Sequence, residues 1–190
     1  MDFSLSVSEK KLLLEAARAS ITAACTQLKP PVFTPTETLK TKCGAFVSLH
    51  KQGNLRGCIG YITGIAPLLQ TVMEMAVSAG FQDPRFPPLK ESELSHLEIE
   101  ISVLSPLHRI RSVDEIIVGT HGIIMKKGGY SGLLLPQVAT EYNWNRDEFL
   151  SHTCQKAGLP SDSWKHRDAE IQIFSAIIFS EKSIPMESGI

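Results

Sequence analysis

Leu55-Arg56-Gly57-Cys58-Ile59-Gly60 sets a cation and a thiol between two glycines, inside a run of otherwise strand-like residues. On a regular strand successive side chains alternate, so Arg56, Cys58 and Gly60 share one face and Leu55, Gly57, Ile59 and Tyr61 the other. A guanidinium beside a thiol favours the thiolate, and glycines let a ligand or a second backbone come close. Cys58 therefore reads either as a nucleophile or as a small thiol packed where a larger residue would clash. A cysteine nucleophile needs a base, and His121, which precedes Gly122 at the start of a strand, is the candidate; the other reading is that His121 closes a turn. Asp83-Pro84-Arg85 is the second chemical stretch, because the proline restricts the backbone between a carboxylate and a guanidinium. Arg56 and Arg85 together would hold a carboxylate or phosphate by forked hydrogen bonds, with Gly57 and Gly60 leaving room for it. Alternatively Asp83 caps a turn and pairs with Arg85. Gln137, just after Pro136, would take the matching position in a second lobe.

The elements that must position these groups can be read from spacing. Ser6-Val7-Ser8-Glu9 is a capping box for a helix over 7–28, with Leu13, Ala16, Ala17, Ala24 and Leu28 as its apolar stripe and Pro30-Pro31 as its stop. Gly44 to His50 and Leu55 to Ile62 form a hairpin about Lys51-Gln52-Gly53-Asn54, which puts Cys58 opposite Val47 to Leu49 and argues against a Cys43 to Cys58 disulfide. Ile65-Ala66-Pro67 opens a helix that runs to Gly80, and its methionines are expected in the core. Leu97 to Ser105 is a strand with Leu97, Ile99, Ile101 and Val103 on one face; Ser112 to Ile117 is at most a short helix.

The order then repeats. Ile123 to Lys127 and Ser131 to Leu135 flank a Gly128-Gly129 turn, Pro136 starts a helix, Asn145 caps another that ends at Gly158, and Glu170 to Phe179 is a long strand. The Lys126 to Gly132 stretch lacks phosphate-loop spacing and fits the hairpin turn instead. The expected class is α+β: two pseudo-repeated β-hairpin/helix/strand lobes with antiparallel or mixed sheets, approximately 41–105 and 118–181, plus the extra N-terminal helix.

The 190 residues, 43% hydrophobic, suffice for one domain or two small lobes. A formal charge of −1 gives no global field toward nucleic acid or an anionic membrane, and no run approaches a membrane span or a signal peptide. The four cysteines have no metal-binding spacing, so free thiols, no metal and no cofactor are expected in a cytoplasmic protein.

Six segments in this order resemble the AMMECR domain family: Leu55 to Gly60, Asp83-Pro84-Arg85-Phe86-Pro87, Ile99 to Leu104, His121-Gly122, Leu135-Pro136-Gln137-Val138, and Lys156-Ala157-Gly158-Leu159-Pro160. The likeness covers most of the chain and implies a two-lobed α+β fold with a cleft lined by Arg56, Cys58, Asp83, Arg85 and His121, without fixing a reaction. It also implies, as partners, a Memo-like protein and a radical S-adenosylmethionine enzyme. Two functions from different classes follow: a module that binds a small anionic group or a partner's tail, and an enzyme using Cys58 as nucleophile.

Overall fold

The computed structural model describes residues 3–184. The chain packs as two compact units, the first reaching Leu104 and resuming at Ile177, the second spanning Ser105–Ala176. The fold is α+β.

The first unit begins with α1, Val7–Thr26, whose Ser6 and Glu9 form the reciprocal capping box. The helix ends two residues earlier than its apolar spacing suggests, because Gln27 turns left-handed at φ 56°. An extended connector and a 3₁₀ turn at Thr38–Lys40 lead into β1, Ala45–Lys51, and β2, Asn54–Tyr61. Gln52 and Gly53, at φ 53° and 80°, make the tight primed turn that matches strand twist. Helix α2, Leu68–Phe81, follows with Pro67 as its cap, and a 3₁₀ stretch at Glu91–His96 leads into β3, Leu97–Leu104.

Strand β1 pairs antiparallel with β2 on one side and β3 on the other. The alternate residues Val47, Leu49, Ile99, Ile101 and Val103 are fully sealed against Leu13, Leu14, Ile21, Leu68 and Val72 of the helices. Each such side chain contributes about 1.5–3 kcal/mol of burial. Met75 is a core residue as expected, but Met73 is only half-buried and faces a groove beside α2.

The second unit holds β4, His108–Arg109; β5, His121–Lys127; β6, Tyr130–Leu134; α3, Pro136–Glu141; α4, Arg146–Lys156; and most of β7, Glu170–Ser180. Strand β5 pairs antiparallel with β6 and with β7, and β4 also lies against β7. Helix α4 has its Asn145–Glu148 capping box and ends before Gly158 at φ 77°. Phe149, Leu150 and Cys154 of α4 pack on Ile123, Met125, Ile171 and Ile173, with Trp144 and Trp164 half-buried around them. No helix among the described residues is long and apolar enough to cross a membrane.

Candidate functional site

Cys58 sits directly opposite Ser48 in the β1–β2 register, and the Ser48 hydroxyl donates to its Sγ at 3.2 Å. Ser48 belongs to the outward set of β1, between the buried Val47 and Leu49, so the half-buried thiol lies on the face away from the helices. Arg56 does not share that face. The register slips between Leu49 and His50, whose partners are Gly57 and Leu55, leaving Arg56 as the extra residue of a β-bulge. The bulge sets Arg56 and Gly57 together across from the buried Leu49, and a Cβ on Gly57 would lie 2.0 Å from the carbonyl oxygen of Ala79 in α2. The expectation that Arg56 and Cys58 are same-face neighbours fails because strict alternation does not survive a bulge.

Arg56 is instead held in a part-buried network, with its Nη1 buried and without a partner among the described residues. Its Nε and Nη2 donate to the Glu93 carboxylate at 3.1 and 3.0 Å, and Nη2 also reaches the Pro87 carbonyl at 3.0 Å. Lys51 joins the same carboxylate at 2.9 Å. The Arg56 hydrogen bonds, aided by Lys51, hold the Glu93 carboxyl down at about 2 despite the opposing cost of burial. Arg56 thereby ties the loop after α2 to the strand. It is not presented to a ligand.

The guanidinium beside the thiol's strand is Arg85. Asp83 is almost fully buried and accepts from the Cys58 N–H at 2.8 Å, from the Arg85 N–H at 3.1 Å, and from Arg85 Nε and Nη2 at 3.0 and 2.7 Å. Arg85 Nη2 reaches the Cys58 carbonyl at 3.4 Å. These contacts hold the Asp83 carboxyl well below the usual carboxylate range, with the Arg85 hydrogen bonds the largest cause, and raise Arg85 in turn. Asp83 and Arg85 together answer both main-chain groups of Cys58 on the outer side of β2, as a neighbouring strand would. They clip a strand edge that is otherwise open. The two arginines flank one ring, with Cζ of Arg56 and Arg85 lying 6.0 and 5.5 Å from the Phe86 centroid.

The remaining candidates have other roles. Gly60 faces Phe46, whose ring stands 2.4 Å from where a Cβ would be, so its missing side chain is filled by the protein itself. His121 belongs to the second unit, where its Nδ1 accepts the Ile117 N–H at 3.1 Å while its own N–H donates to the Ile117 carbonyl at 2.9 Å. Within its own unit it closes a turn. Gln137 stands in the first turn of α3 with a buried Oε1 that meets no partner among the described residues. Glu93 was not legible as a site residue, since no local pattern links it to Arg56 across 37 positions. Ser48 was not singled out either, although the hairpin register placed Cys58 opposite Val47 to Leu49. Cys43 and Cys154 are sealed, and burial pushes the Cys43 thiol up to about 11 and Cys154 upward. Among the described residues no group of three or more His, Cys, Asp or Glu side chains is arranged to hold a metal.

The AMMECR1 family model matches residues 14–179, which include every residue of this cluster. The chain belongs to the AMMECR1 family. Among its relatives, Protein MK0488 of Methanopyrus kandleri is 43% identical over 94% of this chain and 91% of its own length. Protein PH0010 of Pyrococcus horikoshii is 45% identical over 82% of this chain and 80% of its own. The crystal structure of that uncharacterized Pyrococcus protein superposes with a TM-score of 0.78 at 41% identity, each chain covered to 92%. The Pyrococcus structure carries the α+β fold of this chain.

Proposed function

We propose that this AMMECR1 domain is a binding module that recognises an anionic group at Arg85, beside Cys58 on the edge of β2. The observation that supports the reading most is the contrast within the ion pair: the Asp83 side chain is 2% exposed, while the Arg85 side chain it holds is 55% exposed. Arg85 Nη1 meets no partner among the described residues, while Nε and Nη2 are fixed by Asp83 and the Cys58 carbonyl. A guanidinium immobilised in advance gives up little further entropy when it takes a carboxylate or phosphate. The test is titration of the ¹⁵N-labelled protein with sodium sulfate. The Arg85 side-chain signal should shift saturably and disappear in Arg85→Met; a shift no larger than that of Arg167 would overturn the reading.

One observation favours an enzyme instead. The Ser48 hydroxyl on Cys58 Sγ, with Arg85 at the same residue's carbonyl, is a setting in which a thiol could act as nucleophile. In that case Cys58 would form a covalent adduct when incubated with small thioesters, detectable as a mass increase that Cys58→Ser abolishes. The proposed setting is the cytoplasm, with a Memo-like protein and a radical S-adenosylmethionine enzyme as partners. Those partners rest on the family resemblance, and co-purification of tagged chain with each candidate would test them.

A further inference from the structure

Arg85 stands near the end of a groove that the reading above leaves unused. Within the first unit, a mostly apolar groove of about 940 Å³ lies between the end of α1, the connector around Phe33, and α2, where Met73, Val77 and Gln82 line it, with Tyr61 of β2 as a further wall. Gln82 is followed at once by Asp83 and Arg85, so the groove leads toward the guanidinium. Tyr61 brings the end of β2 to the same groove. Cys58 turns its N–H and C=O outward to Asp83 and Arg85, and Gly60, two residues on, turns its own the same way. Strand β2 is the terminal strand of its sheet, and the outward main chain of Gly60 meets no partner among the described residues.

These features select one kind of occupant. An extended segment added along Gly60 would gain main-chain hydrogen bonds and could lay alternate side chains on Tyr61, Met73 and Val77. It could not continue past Cys58, because Asp83 and Arg85 already occupy that edge. Pairing that stops there stops beside a half-exposed guanidinium, and a terminal carboxylate is the main-chain group that complements its charge. We infer that the first unit takes the free C-terminal tail of a partner protein, paired to the Gly60 edge of β2, with apolar side chains in the α2 groove and its terminal carboxylate on Arg85. The inference rests on the anion reading above and names its ligand class.

The test uses the full chain, ¹⁵N-labelled, and three probes: a pool of acetylated hexapeptides with Val, Leu, Ile or Phe at the last four positions as free acids, the same pool amidated, and sodium sulfate. The free-acid pool should shift Gly60, Tyr61, Val77 and the Arg85 side chain, and the amidated pool should bind about tenfold more weakly, as loss of a charge-assisted contact implies. Val77→Glu should remove the peptide shifts while keeping the sulfate shift at Arg85. Equal binding of acid and amide would overturn the proposal with the protein unaltered, so a misfolded variant cannot mask that result. If the peptides move nothing at Gly60 or in the groove while sulfate still moves Arg85, the tail is wrong and the anion reading stands. If sulfate also leaves Arg85 unmoved, both fall.

Discussion

The hairpins of the two units share a glycine and differ in what surrounds it. A Cβ on Gly57 of β2 would lie 2.0 Å from Ala79 of α2, and a Cβ on Gly132 of β6 would lie 2.4 Å from Ala157 after α4. In both, a helix backbone presses on the second strand at an Ala-Gly pair, Ala79-Gly80 and Ala157-Gly158. The departures are all on one side. Hairpin β5–β6 keeps an unbroken register, whereas β1–β2 carries a bulge. The residue before the glycine is the buried, paired Arg56 in one unit and the exposed Ser131 in the other. The residue after it is Cys58, clipped by Asp83 and Arg85, against Leu133. The glycines are therefore shared architecture, and the charges and the thiol are what the first unit adds to it.

The largest expected effect separates Arg56 from Ser131. Arg56→Ala leaves the part-buried Glu93 carboxylate with Lys51 as its remaining cation and should destabilise the protein by about 1.5–3 kcal/mol, whereas Ser131→Ala should stay within about 0.5 kcal/mol. Urea titration of both variants measures the difference, and similar losses would erase the asymmetry. Next come the glycines. Gly57→Ala and Gly132→Ala each force a helix backbone to move and should cost about 1–3 kcal/mol or more. If one were tolerated, the shared-architecture half of the comparison would be lost.

Acid should then separate the units without mutation. Glu93 sits at about 2 in the folded protein against an ordinary value near ~4.3, and Asp83 is also depressed. A depressed carboxyl contributes stability that is present above its unfolded value and lost as pH falls toward its folded one. Glu9 and Glu98 of the first unit are lowered too, whereas Glu115 is the lowered carboxyl resolved in the second. Between about pH 4.5 and 2 the first unit should loosen before the second. Both tryptophans, Trp144 and Trp164, lie in the second unit. The far-UV circular dichroism of α1 and α2 should thus decline at higher pH than the tryptophan emission shifts, and coincident transitions would count against the argument.

What could be read from the residues follows the range of the forces involved. Caps, turns and periodicities act over a few residues, so α1, both hairpins, α4 and β3 could be placed, and the hairpin turn put Cys58 opposite Val47 to Leu49, the set within which Ser48 proves to be its partner. The bulge could not be placed, since alternation is the assumption it breaks, and with it went the face of Arg56. Glu93 reaches Arg56 only through tertiary packing. Asp83 and Arg85 were recognisable as a pair, but their work on the edge of β2 depends on where α2 ends relative to Cys58. Gln137 followed from the repeat of hairpin, helix and strand, which gave it the matching position in a second lobe. The glycine contacts align the end of α4 with the end of α2 instead, so Asp83 and Arg85 correspond to Ser161 and Ser163, which carry no charge, with Asp162 between them in place of Pro84.

The smallest expected effect concerns the thiol itself. Cys58 is half-buried with one hydroxyl neighbour, while Cys43 and Cys154 are sealed in the two cores. If the first unit carries Cys58 for chemistry or recognition, the fold has little need of it: Cys58→Ser should change stability by less than about 1 kcal/mol. Iodoacetamide at pH 8 should label Cys58 in the native protein while Cys43, raised to about 11 by burial, and Cys154 react only after unfolding. A Cys58 that is protected like the other two, and costly to replace, would make it the counterpart of Leu133, a packing residue. The first unit's distinctive chemistry would then reduce to Arg85.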